Sequence, residues 1–414
     1  MPAPDRDLPP RDAASRIVET LRRAGHTAYF AGGCVRDELL GRTPDDYDVA
    51  TDATPERVMT LFPRSGEVGK SFGVVLVQAP GSRHVVEVAT FRSDGQYTDS
   101  RRPDSVRFST PEEDAARRDF TVNALFLDPI TGNILDFVGG QADLAARLLR
   151  AVGRPEARLA EDHLRALRAV RLAAKLAFTI EPATAHAIRT HAKDLRGVSR
   201  ERVGDEIERM LTNPARARAA ALLRDLNLEP PVLDWTGRQA SGPSLAALPP
   251  HASYIAALAA WALDLGLEPG DAPREALVTS WRQSLCLSNE HRDGLAAVLA
   301  GVEVLRGPWP AAGVAAQKRL AAKREFETIL TVLYTLDLPR AESTRSRVRE
   351  LALTPSGIAP PPFLTGDDLI SLGLKPGPAF RRILDAVYDA QLEDRVQTFE
   401  QARELAGSLS VKAG

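Results

Sequence analysis

Tyr29-Phe30-Ala31-Gly32-Gly33-Cys34-Val35-Arg36-Asp37, continuing to Asp45-Asp46-Tyr47-Asp48-Val49, reads as strand, glycine turn, short helix, strand. The apolar run stops at Gly32 and Gly33, which let backbone approach a ligand closely. Val35 to Leu40 has a helical pattern, and Gly41 ends it. The start of such a helix leaves N–H groups free to seat a polyphosphate, with Arg36 beside them. Asp46 and Asp48, two apart on a strand, would point both carboxylates to one face. A pair of Mg²⁺ ions needs that arrangement near a phosphate seat for in-line nucleotidyl transfer.

Composition bounds what surrounds this stretch. A chain of 414 residues holds several domains and can bury sizeable cores. It contains no long uncharged apolar run, so no membrane span is expected, and the Pro-rich start MPAPDRDLPPRD has no signal-peptide pattern. Two cysteines, Cys34 and Cys286, make no disulfide framework and fit a reducing cytoplasm. Cys34 reads as a small buried side chain rather than a nucleophile. The net charge of −2 argues against a general nucleic-acid binder, while leaving room for one shaped RNA partner met by a local basic stripe.

Outward from the opening stretch, Ala13 to Arg23 is amphipathic, and Thr54-Pro55 is an N-cap and first-turn pair opening a helix to Leu61. Strands are expected at Phe72–Gln78, a continuous apolar run suited to the sheet centre, and at His84–Phe91. In the second, Val85, Glu87 and Ala89 share a face, which makes Glu87 a candidate third metal carboxylate. Arg92 to Pro103 is polar and turn-rich, a loop. Thr110-Pro111-Glu112-Glu113 is a capping box, and the helix it opens is expected to carry Arg117-Arg118-Asp119-Phe120-Thr121-Val122-Asn123-Ala124. Taken alone, that string is an ordinary solvated helix face; beside a phosphate seat, Arg118 can take triphosphate charge and Asp119 can accept from a ribose hydroxyl.

Beyond residue 142 alternation gives way to helical periodicity. In Ala160-Glu161-Asp162-His163-Leu164-Arg165-Ala166-Leu167-Arg168-Ala169-Val170-Arg171, Asp162, Arg165, Arg168 and Arg171 recur every third residue as a polar stripe beside Leu164, Leu167, Val170 and Ala174. A salt-bridged surface helix would look the same. So would a base reader. Cytosine and adenine each pair an exocyclic amino group with an unprotonated ring nitrogen, and uracil and guanine present the reverse. An Asp accepting from the amino group and an Arg donating to the ring nitrogen would select C and A without a nucleic-acid template. A wrong base would leave those groups unpaired.

The opening stretch resembles the first motif of the polymerase-β-like nucleotidyltransferases, in particular the class II tRNA nucleotidyltransferases (CCA-adding enzymes) and bacterial poly(A) polymerases. The 117–124 string is similar to that family's second signature, and Glu161-Asp162-His163-Leu164-Arg165 to its EDxxR base-recognition motif. Val198 to Glu206 is similar to a fifth motif, read here as a brace for the neck. Leu364 to Arg382 is similar to the family tail. The resemblance implies an α+β head over 1–142, a helical neck over 143–205, a helical body over 206–340 and a helical tail over 341–414. It implies addition of C and A from CTP and ATP to a tRNA 3′ end, with Asp46 and Asp48 holding two Mg²⁺. It also implies that Gly32, Gly33, Arg36, Arg118 and Asp119 bind phosphates and sugar. Asp162 and Arg165 would read the base, with Arg168 and Arg171 supporting the nucleotide and Glu161 orienting its neighbours. CC-adding relatives shorten the loop after the Glu87 strand; Asp94 to Arg101 here is full length. That leaves CCA addition ahead of A-only addition or poly(A) tailing, and ahead of a catalytically silent RNA-binding protein, which the intact Asp46 and Asp48 oppose. Trp235, Trp261, Trp281 and Trp309 are expected in cores rather than as RNA-stacking platforms, and a long loop is expected over Glu229–Pro250. His186 and His191 lack the pattern of an HD phosphohydrolase. The segments 317–324 and 340–349 are locally basic, and neither a membrane nor a protein partner is indicated.

Overall fold

The computed structural model describes residues 8–67, 73–95, 106–234, 242–266, 273–373 and 377–411. The chain divides into two compact units, residues 1–207 with 218–232 and residues 208–217 with 233–414.

The first unit is built on a seven-stranded sheet. Its strands are β1 (Ala28–Ala31), β2 (Asp48–Thr51), β3 (Ser65–Glu67), β4 (Val74–Gln78), β5 (Val85–Thr90), β6 (Leu125–Leu127) and β7 (Ile134–Asp136). They lie in the order β3-β4-β5-β2-β1-β6-β7. Only β2 and β5 run parallel, with Val49 opposite Val88. Helix α1 (Pro10–Arg23) lays Ala13, Ala14, Ile17, Val18 and Leu21 into the core, at the spacing of one helical face. Pro10 is its first residue, so the helix claims the end of the Pro-rich start. Helix α2 (Gly33–Leu39) follows the glycine turn, and Thr54 caps α3 (Pro55–Leu61) by accepting from Arg57 N. Strand β4 sits next to the sheet edge rather than at its centre. Its residues alternate half-buried and buried, so the apolar run covers one face only. Phe72 and most of the expected loop, 96–103, lie outside the described residues, while Arg92–Asp94 pairs with Val106–Phe108 in a two-stranded ribbon.

Two helices differ from expectation. Helix α4 (Pro111–Ala116) ends before the Arg117-Arg118-Asp119 string, which therefore sits in the turn after the helix. Arg117 and Arg118 each donate twice to Asp114, and the chain then leaves the helix to pair with the 150–152 segment, where Val152 N donates to the Asp119 carbonyl and Phe120 bridges Ala151. Thr110 caps α4 through Glu113 N. Helix α5 (Gly140–Ala145) closes the sheet region. After it the polar stripe is split between α6 (Pro155–Glu161) and α7 (Arg165–Leu176), with Asp162 extended at φ −153° between them. Leu164, Leu167, Val170 and Ala174 are all buried, as the periodicity requires. Then come α8 (Pro182–Thr190), α9 (Arg200–Leu211) and α10 (Arg216–Asp225), the last two straddling the division between the units.

The second unit is helical. Trp261 and Trp281 are fully buried with ring centroids 5.4 Å apart, and Trp309 is buried. Trp235 lies outside the described residues. The expected loop over Glu229–Pro250 is interrupted by short helices at Glu229–Leu233 and Ser244–Ala247. Lys318, in the 317–324 basic segment, is buried and donates to Thr354, Ser356 and the Leu392 carbonyl, so that charge ties helices together instead of facing solvent. Near the C-terminus Thr365 and Asp368 form a reciprocal capping box, over a core of Leu369, Ile383 and Val387. No helix among the described residues is long and apolar enough to cross a membrane.

Candidate active site

The site forms where β1 ends and β2 begins, beside the middle of β5. Ala31, the last residue of β1, pairs with Asp48, the first of β2, so the glycine turn begins beside the Asp48 carboxylate. The parallel β2–β5 register places Glu87 opposite Asp48, with both side chains on the same face. Asp46 is exposed in the segment just before β2, not on the strand as expected, because the ladder starts only at Asp48. The carboxylates nevertheless feel one another. Burial, then the charges of Glu87 and Asp46, push the Asp48 carboxyl up to about 6, against the opposing pull of Arg118. Among the described residues no three acidic, His or Cys side chains are closed into a metal cage. The donor set is all hard oxygen, with Asp48 half-buried and Asp46 and Glu87 exposed, which fits Mg²⁺.

Gly32 has φ +79°, and a Cβ there would lie 3.0 Å from Arg118 Nη1. Glycine is thus what lets this guanidinium lie over the turn. Arg118 donates to the Asn123 carbonyl at 3.1 Å and stacks 5.0 Å over the Phe126 ring. Gly33 begins α2. Cys34 is buried, its thiol pushed up to about 12 by burial, so it is packing rather than chemistry.

Arg36 lies beside the glycine turn, its Nη2 3.6 Å from where a Cβ on Gly33 would sit. It is 5% exposed, chelates the Asp37 carboxylate and donates to Asn123 Oδ1. Asp119 is likewise held inside: Arg168 donates to its Oδ2 through Nε and Nη2 at 2.9 and 2.7 Å, and Phe120 N and Asn123 Nδ2 donate to its Oδ1. Burial raises this carboxyl, but Arg168 and Asn123 outweigh burial and hold it below the usual carboxylate range.

The base-reading residues are anchored in the same way. Asp162 Oδ1 accepts from Leu164 N, and Oδ2 accepts from Arg202. Arg165 donates to Glu161 and to the Arg158 carbonyl, both through Nη1. Glu161 also accepts from Arg158. Arg171 pairs with Glu206 at 2.6 Å. The polar stripe is therefore not one helix face. It is four residues, each on its own partner, and two of those partners, Arg202 and Glu206, come from one turn of α9. The sequence reads that stretch as a brace for the neck and gives Arg202 and Glu206 no individual role; their i,i+4 spacing is the available signal. Asn123, quoted in the 117–124 string without a role, is marked in the sequence only as a lone amide in the largely apolar run from Phe120 to Leu127.

Comparison with known proteins agrees with this geometry. A family model described as the poly A polymerase head domain matches residues 28–150, and one described as a probable RNA and SrmB- binding site of polymerase A matches residues 177–233. The CCA-adding enzyme of Geobacillus thermodenitrificans is 36% identical over 403 residues, 94% of each chain. That of Lactiplantibacillus plantarum is 34% identical over the same shares. The crystal structure of the Bacillus stearothermophilus CCA-adding enzyme in complex with CTP matches with a TM-score of 0.81 at 32% identity, covering 98% of this chain and 99% of that one. Thermotoga maritima CCA-adding enzyme complexed with tRNA shares the fold at a TM-score of 0.67 and 19% identity, covering 98% and 97%. With over a third of its residues identical to a relative along nearly the whole of both chains, this chain belongs to the family of CCA-adding enzymes, which are nucleotidyltransferases.

Proposed function

We propose that this protein builds or repairs the CCA end of tRNA, transferring CMP and AMP from CTP and ATP to the RNA 3′ end without a nucleic-acid template and releasing pyrophosphate. The observation that carries the reading is the meeting of Asp48, Glu87 and Asp46 with Arg118 and the glycine turn, where β1 ends and β2 begins beside β5.

Asp46 and Asp48 are the residues that would hold two Mg²⁺, with Glu87 alongside as a third carboxylate. When bound, those ions supply activation of the RNA 3′-OH and neutralisation of triphosphate charge. Gly32 and Gly33 open the backbone to the phosphates, and Arg118 lies above them to take charge. Asp119 orients the sugar. Arg36 supports this seat from behind, through Asn123.

Asp162 and Arg165 read the base. Among the described residues both of Arg165's bonds use Nη1, which leaves its other nitrogens for a ring acceptor. Arg168 and Arg171 fix α7, which Arg165 begins. The helical stretches 206–340 and 341–414 form a body and tail that recognise the tRNA by shape and backbone, as RNA helices are recognised. A cytoplasmic setting suits the two free cysteines, Cys34 and Cys286.

The test is incubation with Mg²⁺, labelled nucleoside triphosphates and tRNAs ending at the discriminator base, at C or at CC. Extension of all three to CCA is the expected result. Extension of the last alone would mean A-only addition, long untemplated A tails would mean a poly(A) polymerase, and no incorporation would leave an RNA-binding protein.

A further inference from the structure

Asn123 sits between two groups of opposite charge. Its Oδ1 accepts from Arg36 Nη1 at 2.5 Å, and its Nδ2 donates to Asp119 Oδ1 at 3.3 Å. A guanidinium only donates and a carboxylate only accepts, so the amide has one orientation in which both bonds exist. Its backbone carbonyl accepts from Arg118 Nη1. One residue thus touches the buried arginine of α2, the aspartate at the sugar position and the arginine over the glycine turn.

The Asp119 carboxylate is gripped on both oxygens. Arg168 holds Oδ2 with two bonds, while Phe120 N at 2.8 Å and Asn123 Nδ2 share Oδ1. Arg168 alone would let the carboxylate plane turn about its own axis. The Asn123 amide, itself pinned by Arg36 and by the Arg36–Asp37 pair, removes that freedom. A hydroxyl is told from a hydrogen at a sugar carbon only by an acceptor already in place, because reorienting one costs the bond it would gain.

We propose that Asn123 is a positioning residue for ribose recognition: it fixes the plane of the Asp119 carboxylate, and through it the preference for ribonucleoside over 2′-deoxyribonucleoside triphosphates. This rests on the reading that Asp119 accepts from the ribose 2′-OH.

The test compares kcat/KM for CTP and 2′-deoxy-CTP in Asn123→Ala, Asn123→Asp and Asp119→Ala. Asn123→Asp keeps an acceptor for Arg36 while deleting the donor to Asp119, so it carries the test if Asn123→Ala does not fold. The ribo-to-deoxyribo ratio should fall about tenfold in both Asn123 variants, the size of one charge-assisted hydrogen bond. The loss should lie in KM for CTP rather than in kcat. In an Asp119→Ala background, Asn123→Ala should lower the ratio no further. If Asp119→Ala collapses the ratio while both Asn123 variants keep it, or lose both substrates equally, the role of Asn123 is overturned and the ribose reading stands. If Asp119→Ala itself leaves the ratio unchanged, the ribose reading has failed, and the proposal with it.

Discussion

Arg202 Nη2 donates to Asp162 Oδ2 at 2.6 Å, joining α9 to the break between α6 and α7. Asp162 is extended there and lies outside either helix, so backbone geometry alone does not aim its carboxylate. Leu164 N and Arg202 do. The fidelity of base choice should therefore depend on a residue that itself touches no base. Asp162→Ala should lose the preference for C and A outright. Arg202→Ala should raise UMP and GMP misincorporation about tenfold relative to CMP, and Arg202→Lys, which keeps the charge but not the fork, should fall between. Nucleotide competition assays read this directly; wild-type selectivity in Arg202→Ala would sink it.

The carboxylates make a sharper claim. Asp46→Ala and Asp48→Asn should each abolish every addition, to C-accepting and A-accepting tRNAs alike, while tRNA affinity in a gel-shift assay stays within about twofold. Residual activity above about one part in a thousand would be hard to reconcile with a two-ion mechanism that has lost a ligand. Asp48→Asn should not be destabilised, since Asp48 carries an electrostatic penalty in the folded state that the amide removes.

These predictions draw on a site that was unevenly legible in the sequence. Strand β1, the glycine turn and the Thr54 cap could be read because they are local: an apolar run, two glycines, an N-cap before proline. Periodicity also placed Leu164, Leu167 and Val170 in the core. Partners separated by dozens of residues could not be read. Arg36 reads from its neighbours as a phosphate ligand, but its bond to Asn123, 87 positions away, is not legible from them. The Asp119–Arg168 and Asp162–Arg202 pairs span 49 and 40 positions. The helix breaks failed for a related reason. At the first break the chain is taken over by Val152 N, which donates to the Asp119 carbonyl, and by the Phe120–Ala151 bridge, and at the second by Arg202 on Asp162; these tertiary bonds outweigh a favourable helical pattern.

The tryptophans separate packing from RNA contact. Trp261 and Trp281 are fully buried against each other, and among the described residues neither indole N–H has a hydrogen-bond partner. Their value is therefore volume and apolar surface, not polar anchoring. Trp261→Ala should cost about 3–5 kcal/mol, the range for emptying a large aromatic site. Trp261→Phe should cost much less, because it sacrifices no hydrogen bond. Chemical denaturation measures both. A stacking platform would behave differently: Trp261→Phe would then weaken tRNA binding without touching stability.

The last prediction concerns acid. Asp136, at the end of β7, accepts from four successive backbone N–H groups, Val138, Gly139, Gly140 and Gln141, at 3.2, 2.9, 2.9 and 2.9 Å. The chain needs glycine to make this turn: Gly139 has φ +82°, and a Cβ on Gly140 would lie 2.3 Å from the Thr121 carbonyl. Partial burial raises the Asp136 carboxyl, but the four donors outweigh it and hold it below the usual carboxylate range. A carboxyl lowered on folding adds stability that is present in full above the unfolded value of about 3.9. That stability drains away as pH falls from there through the lower folded value, because protonation then favours the unfolded chain. Asp136→Asn removes the titrating charge while keeping one acceptor oxygen. The melting-temperature gap between wild type and Asp136→Asn should therefore be constant from pH 6 to pH 8 and shrink steadily below about pH 4. A gap that stayed constant into acid would mean that the turn is held by its glycines and not by the charge on Asp136.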